Sequence, residues 1–191
     1  MRITTPVVVI VALLGSACES QSQRSAEDAE KCREAERKGF PETAEPLCES
    51  AWFDVDSSRL APAIQSERLH NLGRIKRKLG KFAEADPLLR QALAIEESVS
   101  GSTSPACGVR RVELALVLAG QEKWTEGAAV LEPVLGIADG LPEREQRAAA
   151  NVFRQYARQL QDSDHAELGE RFGRKTAELR AVKQGDTGQN D

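Results

Sequence analysis

Aromatic residues supply only 4% of this chain, methionine occurs once and histidine twice. Strands in sandwiches and barrels draw on aromatic and β-branched side chains, so this scarcity argues against an all-β fold and leaves helix as the expectation. The two histidines, His70 and His165, have no partner at metal-ligand spacing, and no metal site is expected. No HExxH, GxSxG or paired CxxC is present. Gly80-Lys81 fails as a phosphate loop because Gly73 stands at the wrong spacing and Phe82 occupies the hydroxyl position. Neither catalysis nor a cofactor is therefore expected. A strong charge of one sign is lacking too: with a formal net charge of −4, no global field draws the chain to nucleic acid or to an anionic membrane surface.

Long apolar runs are missing, with one short exception. PVVVIVALLG (6–15) follows a basic start at Arg2 and is too short for a permanent bilayer span. It reads as an export signal. The residues that follow, LLGSAC (13–18), resemble the lipobox of bacterial lipoproteins, with small Ser16 and Ala17 before Cys18 and Gly15 where that family carries leucine. The resemblance implies removal of residues 1–17 and acylation of Cys18; ordinary secretory cleavage after Ala17 is the alternative. Glu19 implies, by the same family's sorting rule, the outer rather than the inner membrane, with the body of the protein in the periplasm. Polar SQSQRS (20–25) completes an expected flexible tether over 18–25.

What the chain does have is length, alanine and leucine, and a repeat. Its 191 residues, 40% hydrophobic, can bury one sizeable core. KGFPETAEPL (38–47), GKFAEADPLL (80–89), EKWTEGAAVL (122–131) and SDHAELGERF (163–172) align without gaps, with starts 42, 42 and 41 residues apart. This register puts Phe40, Phe82, Trp124 and His165 in one column. The second copy shows two helices most clearly: Leu69, Leu72, Ile75 and Leu79 form one stripe, Gly80-Lys81 interrupts it, and Ala85, Leu88, Leu89 and Ala92 resume it. Gly73 and Ala85 would let the two backbones approach closely, and Ser104 with Pro105 marks the next helix start.

Residues 79–97, LGKFAEADPLLRQALAIEE, closely resemble the second helix of tetratricopeptide repeats of the longer-period variety found in kinesin light chains. The resemblance spans residues 26–182. It implies an all-α, right-handed superhelix of antiparallel helix pairs in three to four repeats, with the aromatic column wedging each pair and the leucines stacking one pair on the next. The fourth copy, with Leu168 in the small column, reads as a cap. The tail, 183–191, is expected to be disordered.

Cys32 and Cys48 lie on the two helices of the first unit, where an antiparallel hairpin either brings them opposite each other or displaces them by a turn. A disulfide and two packed thiols both remain open. The family resemblance further implies that the first helix of each unit lines a peptide-binding groove. Carried over here, the groove comprises Glu67, His70, Arg74, Arg77 and Lys78, then apolar Val112 and Leu116, then Arg154 and Arg158. Basic ends around an apolar middle suit a peptide with acidic groups and an apolar anchor. The sequence thus reads as a non-enzymatic protein-interaction scaffold held to a membrane by its lipid. A self-associating structural component of the envelope is the alternative.

Overall fold

The computed structural model describes the backbone of residues 7–54 and 60–186, and the side chains of residues 22–54 and 60–181. Among them there are eight α-helices and no strand: α1 (Val7–Arg37), α2 (Pro41–Phe53), α3 (Pro62–Lys78), α4 (Phe82–Ser100), α5 (Pro105–Gly120), α6 (Trp124–Leu131), α7 (Glu143–Leu160) and α8 (Ala166–Asp186). Consecutive helices pack as pairs, α1 with α2, α3 with α4, α5 with α6 and α7 with α8. The fold is thus all-α and built of tetratricopeptide-type helix pairs. Ser104 caps α5 as expected, its side chain accepting from the Cys107 N–H with Pro105 in the first turn.

The turns inside the pairs fix the repeat register. Gly39 and Gly80 turn the chain with φ of 84° and 74°, and Glu122 does the same at 59°. That region is cheap for glycine and uncommon for other residues. These three positions lie 41 and 42 residues apart, so the first copy sits one residue out of the gapless register. Phe40 occupies the place of Lys81 and Lys123, the residue before the second helix, and is 57% exposed rather than sharing the setting of Phe82 and Trp124. The fourth copy is also displaced. Gly169, not Leu168, is the buried small residue there; a Cβ on it would lie 3.2 Å from Leu160 Cβ.

The chain divides into two compact units, Met1–Ala61 and Pro62–Asp191. In the first, the buried side chains of α1 and α2 among the described residues are Ser25, Ala29, Cys32, Ala44, Cys48 and Ala51, none larger than cysteine. Cys32 and Cys48 are joined by a disulfide, with Cα atoms 5.4 Å apart. The stretch 20–25, expected as a flexible tether, lies inside α1, and the Ser25 hydroxyl donates to the Ala51 carbonyl at 2.8 Å. That bond shields a main-chain acceptor between the helices, which is why the helix continues there. Residues 183–186 likewise prolong α8 instead of starting the expected tail, and residues 187–191 lie outside the described residues.

The second unit shows what the small and aromatic columns do. A Cβ on Gly73 would come within 2.7 Å of Leu89 Cγ, so glycine is needed for α3 to touch α4. The aromatic column also links one pair to the next. Phe82 of α4 covers Gly120 at the end of α5, where a Cβ would meet the ring at 2.5 Å. Trp124 of α6 meets Tyr156 of α7 edge-on, ring centroids 5.4 Å apart. Such stitching follows from helix-pair size: one pair cannot cover its own apolar face. Beyond α6, Pro133 has no N–H to continue the helix, and the chain passes through two short 3-10 turns, Glu132–Gly136 and Ala138–Gly140, before α7.

Candidate functional site

The nine residues expected to line a groove fall on the first helices α3, α5 and α7, all in the second unit. On α3 the spacing of Glu67, His70, Arg74 and Arg77 sets them on one side of the helix. Glu67 and Lys78 are exposed, and Arg74 is half-buried with Nη2 3.4 Å from the Asn71 amide oxygen. Arg77 reaches across to α5, donating from Nε to Glu113 at 2.8 Å.

His70 is the unusual member. It is 4% exposed, yet its Nδ1 has no hydrogen-bond partner among the described residues. Burial holds the imidazole well below its ordinary range, and the charges of Arg110, Arg74 and Arg77 push in the same direction. The ring is therefore neutral at pH 7.

Arg110, on α5, was not legible as a site residue. It donates from Nε to the Ser66 hydroxyl at 2.9 Å and lies 3.0 Å from Glu96, binding α3, α4 and α5 into one network. The Ser66 hydroxyl is also 2.9 Å from the Ala92 carbonyl, and Ser100 donates to Glu96 at 2.7 Å. Burial alone would raise the Glu96 carboxyl, but hydrogen bonds from Ser100 and Ser66 and the Arg110 charge hold it below its usual range. The Arg110 side chain is 11% exposed and the Glu96 side chain 8%, a depth at which an arginine needs a carboxylate. That both were buried could not be read from the helix pattern, since each stands beside further charged residues.

The apolar middle of the expected groove is largely taken up by packing. Val112 is 4% exposed within a core cluster that includes Ala149, Val152 and Phe153 of α7, and Leu116 packs half-buried against it. Of the distal basic residues, Arg154 is half-buried and donates to Asn151 on its own helix at 3.0 Å, while Arg158 is exposed. The structure thus brings His70, Arg74 and Arg77 together with Arg110, and places Arg154 and Arg158 on α7. Among the described residues, no group of His, Cys, Asp and Glu could hold a metal ion. Cys18 lies in α1, but its side chain is outside the described residues. No helix among the described residues is long and apolar enough to cross a membrane.

Comparison with known proteins agrees with this architecture. A tetratricopeptide repeat model matches residues 67–106, the α3–α4 pair and the approach to α5. Among solved structures, the nearly identical TPR-like repeats of a kinesin light chain-type protein from Podosopora anserina superpose with a TM-score of 0.63, at 22% identity, over 91% of this chain and 87% of that one. A point variant of the same repeats gives a TM-score of 0.64, again at 22% identity, over 91% and 86% of the respective chains. No curated protein matches the chain. At this identity the likeness establishes the fold.

Proposed function

We propose that the protein is a non-enzymatic scaffold that binds a partner protein through an acidic segment laid along α3 and α5. The observation that carries this reading is the arginine-bearing face of α3, where Arg74 and Arg77 lie near a buried histidine whose Nδ1 has no hydrogen-bond partner among the described residues. Tetratricopeptide-type pairs present such first-helix faces side by side, and guanidinium groups recognise carboxylates with directional, charge-assisted hydrogen bonds. Leu116, half-buried, and Arg154 and Arg158 on α7 extend the face with an apolar anchor point and further positive charge.

The lipobox-like LLGSAC and the preceding apolar run support export and acylation at Cys18, with the array tethered to the outer membrane on its periplasmic side. The Cys32–Cys48 disulfide supports an oxidising compartment. After such processing α1 would begin near Cys18, leaving the Ser25–Ala51 contact in place.

An array of peptides pairing acidic residues with one apolar residue tests the binding reading. Peptides should bind the wild-type protein and lose binding to an Arg74→Glu/Arg158→Glu variant of unchanged helicity; equal binding by both proteins contradicts the groove. Self-association is the second reading, favoured by Phe40 at 57% and Phe53 at 65% exposure in the first unit. A mass that grows with concentration supports it, and a strict monomer excludes it.

A further inference from the structure

Three guanidinium groups act on His70: Arg74 and Arg77 from its own helix and Arg110 from α5. Three carboxylates act in turn on those arginines: Glu67 of α3 and Glu96 of α4 on Arg110, and Glu113 of α5 on Arg77. The buried thiol of Cys107 also acts on Arg110. Arg77 is paired with Glu113 at 2.8 Å and Arg110 with Glu96 at 3.0 Å, while Glu67 contributes a further negative charge near Arg110. With a neutral imidazole this set carries no net charge. A visiting anion would therefore leave one negative charge uncompensated in a partly dry setting, unless a proton comes with it. His70 can take that proton: it is 4% exposed, lies amid the guanidinium groups, and already has a ring nitrogen with no partner.

We propose that this face of α3 and α5 captures one carboxylate of a peptide, and that His70 takes up one proton from solvent as it does so. Capture then strengthens as pH falls. The proposal rests on the peptide-binding reading above and adds its regulation. No covalent bond changes; the incoming carboxylate offsets the guanidinium charges that oppose protonation and accepts from the new imidazolium N–H. One proton balances a monoanion, whereas a dianion such as sulfate or phosphate would leave a charge over. Between the midpoint of His70 without ligand and that with it, affinity falls by up to about tenfold for each pH unit of increase.

The chain has only two histidines, and His165 is exposed, so it serves as an internal reference. Histidine-labelled full chain is titrated by NMR in sodium acetate and in sodium chloride of equal ionic strength. The midpoint of His70 should rise by about half a unit or more in acetate while that of His165 stays fixed. A folded His70→Gln variant should bind acetate with no pH dependence beyond that of acetate's own protonation.

A His70 midpoint that does not move while the Arg74 side-chain resonances follow acetate overturns the proton coupling. Absence of any acetate response at Arg74 and His70 overturns anion capture at this face. Sulfate that raises the midpoint as much as acetate does overturns the preference for a monoanion. Failure of the underlying reading is separate, because it appears in the peptide array as equal binding by wild type and the charge-reversal variant.

Discussion

Gly127 offers the sharpest quantitative test of how the helix pairs are held together. A Cβ built there would overlap the Tyr156 hydroxyl of the next pair and approach Cζ at 2.7 Å. Tyr156 cannot simply retreat: it is fully buried, its hydroxyl donates to the Ala115 carbonyl at 2.7 Å, and its ring contacts Trp124 and Phe172. Gly127→Ala should therefore cost about 1–3 kcal/mol in overpacking and about 1 kcal/mol more if the buried hydrogen bond breaks. For a chain of this size, each kcal/mol lowers Tm by about 2–4 °C, so a drop of about 5–15 °C is expected by circular dichroism. Tyr156→Phe alone should cost about 1 kcal/mol. Because the hydroxyl is the nearest obstacle, the double variant should be more stable than the two single losses predict when added. A Gly127→Ala protein as stable as wild type, or strictly additive losses, would refute the account of this contact.

Four further outcomes concern other parts of the chain. Replacing Cys32 and Cys48 by serine removes a bridge across a sequence separation of 16 residues from a hairpin that buries no large side chain among the described residues; about 3 kcal/mol should be lost, read as faster hydrogen exchange at Ala44 to Ala51. Denatured, unreduced protein starting after Cys18 should show one thiol, Cys107, and three would contradict the bridge. His70 has a depressed folded value, so its contribution to stability is complete above the unfolded value of about 6.5 and is lost as pH falls towards the folded one. The urea midpoint of wild type should therefore decline more between pH 7 and 5 than that of His70→Gln. Cys18→Ala should abolish incorporation of labelled fatty acid and move the protein from the membrane to the soluble fraction; continued membrane recovery contradicts acylation.

The helix pairs were legible because turn residues, stripe spacing and the Ser104-Pro105 start are local signals that survive without tertiary context. Their register was less so. Phe40 resembles Phe82 as a residue type, but backbone φ at Gly39 and Gly80, which a side-chain alignment does not weigh, sets the true equivalence one residue away. Likewise Leu168 sits in the aligned small column while neighbouring Gly169 makes the close contact. Nor does a polar run reveal that Ser25 forms an interhelical bond rather than facing solvent. At the candidate site, α3 displayed His70, Arg74 and Arg77 through their helical spacing. Arg110 and Glu96 were missed because they are buried through mutual pairing across three helices, which no single-helix pattern records. Val112 shows the converse: apolar and correctly placed by repeat position, it is consumed by contact with α7.

The central claim is that the arginine-bearing face of α3 and α5 receives an acidic segment. Backbone and arginine side-chain NMR shifts, followed while the tightest peptide from the acidic array is added, test it most directly. The account predicts that the largest changes fall on His70, Arg74, Arg77 and Arg110, with smaller ones near Leu116. Changes centred on α1 and α2 or on α8, with these four residues silent, would contradict it.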